Sequence, residues 1–366
     1  MKKDILYHPT ICPVRDTYQI MVPVGCEMFL SVKIGENEYF NHVNGIRISE
    51  APIQRITVPM DELDKAKKYT LVCRKVIERK PYFTETEEAY ELEYNFRPVE
   101  KTSGIEIYQV ADVHGWADNA IAAAQLLKKD YDILLINGDI ANYSDTLDDL
   151  NVAYKIASAI TKGEYPCIIS RGNHDLRGNY AEKLADFMPG DNGKSYYTFR
   201  LGCVWCILTD TGEDKNDSSD EYGYSIACHQ FRREETKMIK DTIKNAKSEY
   251  EADGVKYRLV ISHVPFTTPK KEKFNIETEL FGEWSRIIKD NIKPQLMLCG
   301  HEHKTYISYP GDEHDALGHP CPVLIGSDVS YEGEFYTGMA VTLNENAADV
   351  TFNSNYEIIE EFKVTY

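Results

Sequence analysis

Five short apolar runs in this chain each end in Asp, Asn or His beside a Gly or a Pro. Ile105–Ala111 runs into Asp112-Val113-His114-Gly115, and Ile133–Ile136 into Asn137-Gly138-Asp139. Ile168–Ser170 leads through Arg171 into Gly172-Asn173-His174-Asp175. Leu259–Ile261 runs into Ser262-His263-Val264-Pro265, and Leu296–Cys299 into Gly300-His301-Glu302-His303. The runs are short and rich in β-branched residues, so they read as strands. One Gly-Asn-His-Asp alone could be a turn, because these are common turn residues. Five such tips in one chain imply more. In open α/β sheets, functional groups gather at the carboxyl ends of the strands, where Gly lets the backbone turn sharply.

A chain of 366 residues suggests two domains, or one large domain with an appendage. No run of eighteen apolar residues occurs, and Met1-Lys2-Lys3 is followed at once by Asp4. The expectation is therefore neither a signal peptide nor a membrane anchor. Nine cysteines, an odd and scattered set, read as free thiols of a cytoplasmic protein. Cys203-Val-Trp-Cys206 spells a CxxC but sits in a strand-like run, where residues three apart face opposite ways. Two buried thiols are expected there, not a zinc site. A net charge of −18 argues against a nucleic-acid duplex as partner, since that needs clustered cations. A phosphorylated substrate would need cations supplied by the site itself, and metal ions are the obvious supply.

Residues 1–100 carry none of the tip motifs. They read as alternating strands such as Glu27–Ile34, Ile53–Val58, Tyr69–Ile77 and Ala89–Phe96, a small all-β sandwich. Arg97–Gly104 is a polar linker, and 101–366 forms the second unit. There the pattern becomes strand, tip, helix, strand, with helices expected over Asp118–Lys129, Asp145–Thr161, Gln230–Lys247 and Glu279–Asn291. Asp118 is placed as an N-cap. Strands return at Thr305–Tyr309, Cys321–Ile325, Gly338–Leu343, Asp349–Asn353 and Tyr356–Val364. Helical units followed by a run of strands imply an α/β fold of two packed sheets with helices outside.

The candidate metal ligands are Asp112, His114, Asp139, Asn173, His263, His301 and His303. An N/O set without thiolate suits Mn, Fe, Zn or Ni. Seven ligands exceed what one ion needs, and two ions sharing a carboxylate would use them. Asp-x-His, Gly-Asp, Gly-Asn-His-Asp, His-x-Pro and Gly-His-x-His, in this order over about residues 104–330, resemble the calcineurin-like metallophosphoesterase superfamily. The resemblance implies an αββα sandwich here preceded by a fibronectin-III-like domain. It also implies one metal ion on Asp112, His114 and His303 and another on Asn173, His263 and His301. Asp139 would bridge them opposite a bridging water or hydroxide. His174 would act as the acid, with Asp175 orienting it. The N-terminal sandwich is reminiscent of purple acid phosphatases, yet their metal-binding Tyr position is here Asn142 and their Gly is His114. No tyrosinate-coloured iron site is expected.

Arg171 and Arg177 flank the acid motif, and each could grip a phosphate oxygen or form an ion pair. Asp210-Thr211-Gly212 is read as structural, Glu213–Glu221 as a solvated flap, and His314 and His319 as part of an exposed loop. His8, His42 and His229 receive no role. The functional expectation is hydrolysis of a small phosphate ester. A phosphodiesterase acting on nucleotides or phospholipid headgroups is one alternative, and a catalytically silent metal-binding scaffold is another.

Overall fold

Alternate residues of the central strands serve two different cores, as the period of a β-strand requires. In the computed structural model, which describes residues 4–330 and 333–366, Ile105, Ile107, Ile133 and Leu135 face Leu208, Leu259, Ile261, Leu296 and Leu298 in one core. Their neighbours Tyr108, Val110, Leu134 and Ile136 turn the other way, onto Ala120, Ala123, Tyr154 and Ile156 of two helices. On the opposite side Ile207, Val260, Met297 and Ile325 pack against Ile239, Phe281 and Trp284. The layers are therefore helix, sheet, sheet, helix, as expected.

The first sheet runs in the order Cys167–Ser170, Ile133–Asn137, Ile105–Val110, Tyr336–Leu343, Ala347–Ser354, Ile358–Thr365. Its first three strands are parallel and the remaining pairings antiparallel. In the second sheet, Val204–Thr209, Tyr257–Ser262, Leu296–Cys299 and Val323–Val329 are parallel, flanked by antiparallel Tyr197–Leu201 and Lys304–Ser308. At one margin the two sheets also join by strand pairing, Asp328↔Thr337 and Val329↔Tyr336. All five tip-bearing strands lie in the parallel parts, so their carboxyl ends emerge together.

Helices cover these sheets at Ala117–Leu126, Leu147–Thr161, Cys228–Lys244 and Thr278–Ile287. The second begins at a reciprocal capping box between Thr146 and Asp149. Asp118 is not the cap of the first: Trp116 holds that position, and Asp118 instead pairs with Lys155 at 2.7 Å.

Beside a two-stranded ribbon of His42–Val43 and Ile46–Arg47, the N-terminal residues form two small sheets. One holds Thr10–Val14, Thr17–Pro23 and Ile53–Pro59, and the other Asn37–Phe40, Met28–Ile34, Lys68–Glu78 and Tyr90–Asn95. The strand Thr10–Val14, unforeseen in the sequence, reaches both large sheets. Ile11 bridges to Pro166 beside the edge of one, and Arg15 to Phe199 on the edge of the other. Covering two sheet edges in this way removes sites for unwanted strand pairing. Gln19 and Gly190 exchange buried hydrogen bonds of 2.8 and 3.0 Å. The apolar core runs unbroken from Ile20 and Leu71 into Ile105 and Leu259, so the N-terminal sheets pack as part of the body. Among the described residues, no helix is long and apolar enough to cross a membrane.

Candidate metal centre

The strand tips fold into the left-handed backbone region that L-residues rarely enter. Asp112, Asp139, His301 and His303 have φ of 51°, 52°, 72° and 50°, and His114 has 48°. Such strain persists only where surrounding structure enforces it, and it concentrates at functional sites. Glycines make room for the side chains. A Cβ on Gly172 would lie 2.2 Å from Asp139 Oδ1, and one on Gly300 would lie 2.6 Å from Asp112 Oδ2.

Two clusters result. Asp112, His114 and His303 bring donor atoms together, as do Asp139, His263 and His301. In the first, His114 Nε2 lies 3.0 Å from His303 Nε2, which is 3.4 Å from Asp112 Oδ1. In the second, His263 Nε2 stands 3.1 Å from Asp139 Oδ2 and 3.7 Å from Asp112 Oδ1, so it faces both clusters. Asn173 Oδ1 is 2.9 Å from His301 Nδ1, which brings the amide to the second cluster.

The atoms outside the clusters hold these donors in place. His263 Nδ1 donates to the Asn137 carbonyl at 2.7 Å, which turns Nε2 toward the two carboxylates. Asp112 Oδ2 accepts from His301 N at 2.7 Å and from the Ser327 hydroxyl, a partner the sequence did not reveal. Asp139 Oδ1 accepts from His174 N at 2.8 Å. Asp112 Oδ1 and His263 Nε2 are buried with no hydrogen-bond partner among the described residues. Buried polar atoms without a well-aligned hydrogen bond cost free energy, and a cation among these donors would satisfy both. The donor set thus fits metal ions.

The electrostatics agree. Burial would raise the Asp112 and Asp139 carboxyls, but neighbouring imidazoles, His263 foremost, hold both below the usual carboxylate range. Burial would lower His263, yet Asp139 and Asp112 outweigh it and push the imidazole up to about 10. Burial, with Lys270 and His263, brings His301 down to about 4, which leaves its lone pair available. Two buried carboxylates thus attract positive charge to this spot.

The flanking motif departs from expectation. Asp175 does not touch the His174 ring. Its Oδ2 accepts from Gly172 N at 2.7 Å and Asp139 N at 3.0 Å, so it braces the backbone under Asp139. Burial and Asp139 push its carboxyl up to about 7. The His174 ring instead lies between the Asn142 carbonyl on Nδ1 and Arg177 on Nε2, each at 3.2 Å. Arg171 is held by Asp210 at 2.7 Å and stacks on Phe231. Arg177 makes a two-pronged pair with Glu213 at 2.7 and 2.8 Å. Both arginines are thus committed to ion pairs, although Arg177 stays at the site through His174.

Two further readings need correction. Glu213 is buried at 1 % exposure, so the acidic loop is solvated only beyond it. His319 is fully buried, with Nδ1 2.6 Å from Thr267 Oγ1 and Nε2 3.0 Å from Ser308 Oγ. Cys203 and Cys206 are buried free thiols, as expected. Sequence reasoning also missed Lys270, paired with Glu302 at 2.6 Å beside His301. Glu302 lies inside a motif already singled out, so its charge was the available signal.

The profile of the calcineurin-like phosphoesterases matches residues 105–305, more than half of the chain. The chain belongs to the calcineurin-like phosphoesterase family. It is accordingly a hydrolase acting on phosphate esters, of a family that normally binds two metal ions. No curated protein sequence matches it significantly.

Solved structures of similar fold include the purple acid phosphatase from yellow lupin (Lupinus luteus) seeds, with 10 % identity and a TM-score of 0.57. That alignment covers 98 % of this phosphoesterase and 74 % of the lupin chain. PhoD aligns at 11 % identity and a TM-score of 0.56, over 99 % of this chain and 89 % of its own. A dimetal phosphatase from Danio rerio aligns at 12 % identity and a TM-score of 0.50, over 72 % of this chain and 99 % of that one. The first two similarities extend over the N-terminal sheets of this phosphoesterase as well. At such low identity they bear on the fold alone.

Proposed function

We propose that this phosphoesterase hydrolyses a small phosphate ester at a pair of metal ions. Asp112, His114 and His303 would hold one ion, Asn173, His263 and His301 the other, and Asp139 would serve both. The observation that carries the proposal is the convergence of two donor clusters, built on the buried Asp112, Asp139 and His263 and opening through the half-buried His114, His301 and His303. The N/O donors suit Mn, Fe or Zn. Such ions would supply an acidified water and neutralise charge at the phosphoryl oxygens.

The protein's own residues do the rest. Asn137 fixes the His263 tautomer, and Asp175 and Gly172 set the position of Asp139. His174 lies beside His114, ring centroids 5.0 Å apart, within reach of a leaving oxygen to which it can deliver a proton. Arg177, turned from His174 Nε2, can meet a phosphoryl oxygen. An odd, scattered set of nine cysteines without framework spacing fits a reducing, cytoplasmic setting. The acidic chain fits neither a nucleic-acid duplex nor an anionic membrane as partner.

The test is kcat/KM of Mn²⁺-reconstituted protein on p-nitrophenyl phosphate and on bis-p-nitrophenyl phosphate. Turnover that depends on added metal is expected. Preference for the monoester places the substrate among phosphomonoesters, and preference for the bis-ester among diesters. No turnover of either with both metals bound would overturn the proposal.

A further inference from the structure

A cavity of about 260 Å³ opens directly beside His301. Its walls are mainly apolar, carried by Phe266, Phe274, Ile276, Phe281 and Leu317. Val264, which follows His263 in the chain, also lines it, so the wall and a candidate metal ligand share one loop. The back of the cavity is aromatic. Phe266, Phe281 and Trp284 form a mutual aromatic cluster with centroids 5.5 to 5.8 Å apart.

The charged groups at its margin are already paired. Lys270 meets Glu302 at 2.6 Å, Asp214 meets Lys215 at 3.2 Å, and Glu213 is clasped by Arg177. A second charged group entering here would have to break one of these pairs. An apolar group would displace water at no such cost. The size falls just below the range of ~300–1,000 Å³ usual for ligand pockets, enough for part of a small molecule.

We infer that this cavity receives an uncharged apolar ester substituent of the substrate, a single ring or a short aliphatic chain, while the phosphoryl group lies at the metal centre. The inference rests on the phosphoesterase reading of the adjoining site. It selects hydrophobic phosphate esters over sugar phosphates and polyanions.

The test measures Kd of methyl-, propyl- and hexylphosphonic acid for the Mn²⁺-loaded full chain by calorimetry, beside hydrolysis of the matching alkyl phosphates. Kd is expected to fall about three- to fourfold for each methylene until the cavity is filled. Phe274→Ala and Leu317→Asp, at half-buried wall positions, are expected to flatten that dependence. A flat series in the native protein would overturn the inference whatever the turnover. So would a steep series that both variants leave unchanged, because the chain would then lie elsewhere. A steep series flattened by the variants, with no ester hydrolysed, would keep the pocket and remove the hydrolytic reading.

Discussion

The guanidinium of Arg177 stands 3.2 Å from Nε2 of His174. A guanidinium only donates, so Nε2 accepts, and the ring proton lies on Nδ1, toward the Asn142 carbonyl. Proton delivery from Nε2 requires Arg177 to exchange its partner, and a phosphoryl oxygen entering between the two offers that exchange.

His174→Ala is therefore expected to keep both metals yet lose about 10²–10⁴ in kcat, the usual contribution of a general acid. The loss should be greater for phenyl phosphate than for p-nitrophenyl phosphate, whose leaving group needs less protonation. Metal analysis and kcat on the two esters check this. Equal losses would assign His174 to charge positioning instead.

Gly172→Ala should cripple the site without replacing a ligand. The added Cβ would lie 2.2 Å from Asp139 Oδ1 and 2.4 Å from Asp139 N, both part of a tightly braced turn. Loss of metal retention and about 1–3 kcal/mol of stability, typical of overpacking, are expected. Metal stoichiometry and urea unfolding of the variant are the readouts.

Away from the centre, Glu235 is fully buried, with Oε1 accepting from Asp210 N at 3.0 Å and Oε2 unpartnered among the described residues. Burial, reinforced by Asp210, raises its carboxyl well above the ordinary 4.5. The folded state thus holds this proton more tightly than the unfolded state does. Its contribution to stability is full below 4.5 and is lost as pH climbs from there through the raised folded-state value. Glu235→Gln should therefore gain on the native protein as pH rises. Thermal unfolding at pH 5 and pH 8 checks this, with about 2–4 °C expected per kcal/mol gained.

The catalytic half of the fold was legible because its strands alternate between two cores and end in a recurring pattern of side chains. The seven candidate ligands followed from those tips. The strand Thr10–Val14 was not legible, since every residue in it is buried and no alternation marks it. The partners of Arg177 and Asp175 were hidden for another reason. Glu213 is 36 residues from Arg177, and Asp175 acts on the Asp139 backbone, 36 residues away. No local pattern encodes such pairings. His319 looked exposed because its loop is polar, whereas Thr267 and Ser308, distant in sequence, satisfy its ring inside the core.

In the proposed centre one carboxylate, Asp139, ties two metal sites together. The most direct measurement is metal stoichiometry of Asp139→Ala by elemental analysis after Mn²⁺ loading, alongside its kcat. Two ions per native chain, falling to one or fewer in the variant with turnover lost, is the predicted result. A variant that keeps two ions and near-native turnover would contradict it.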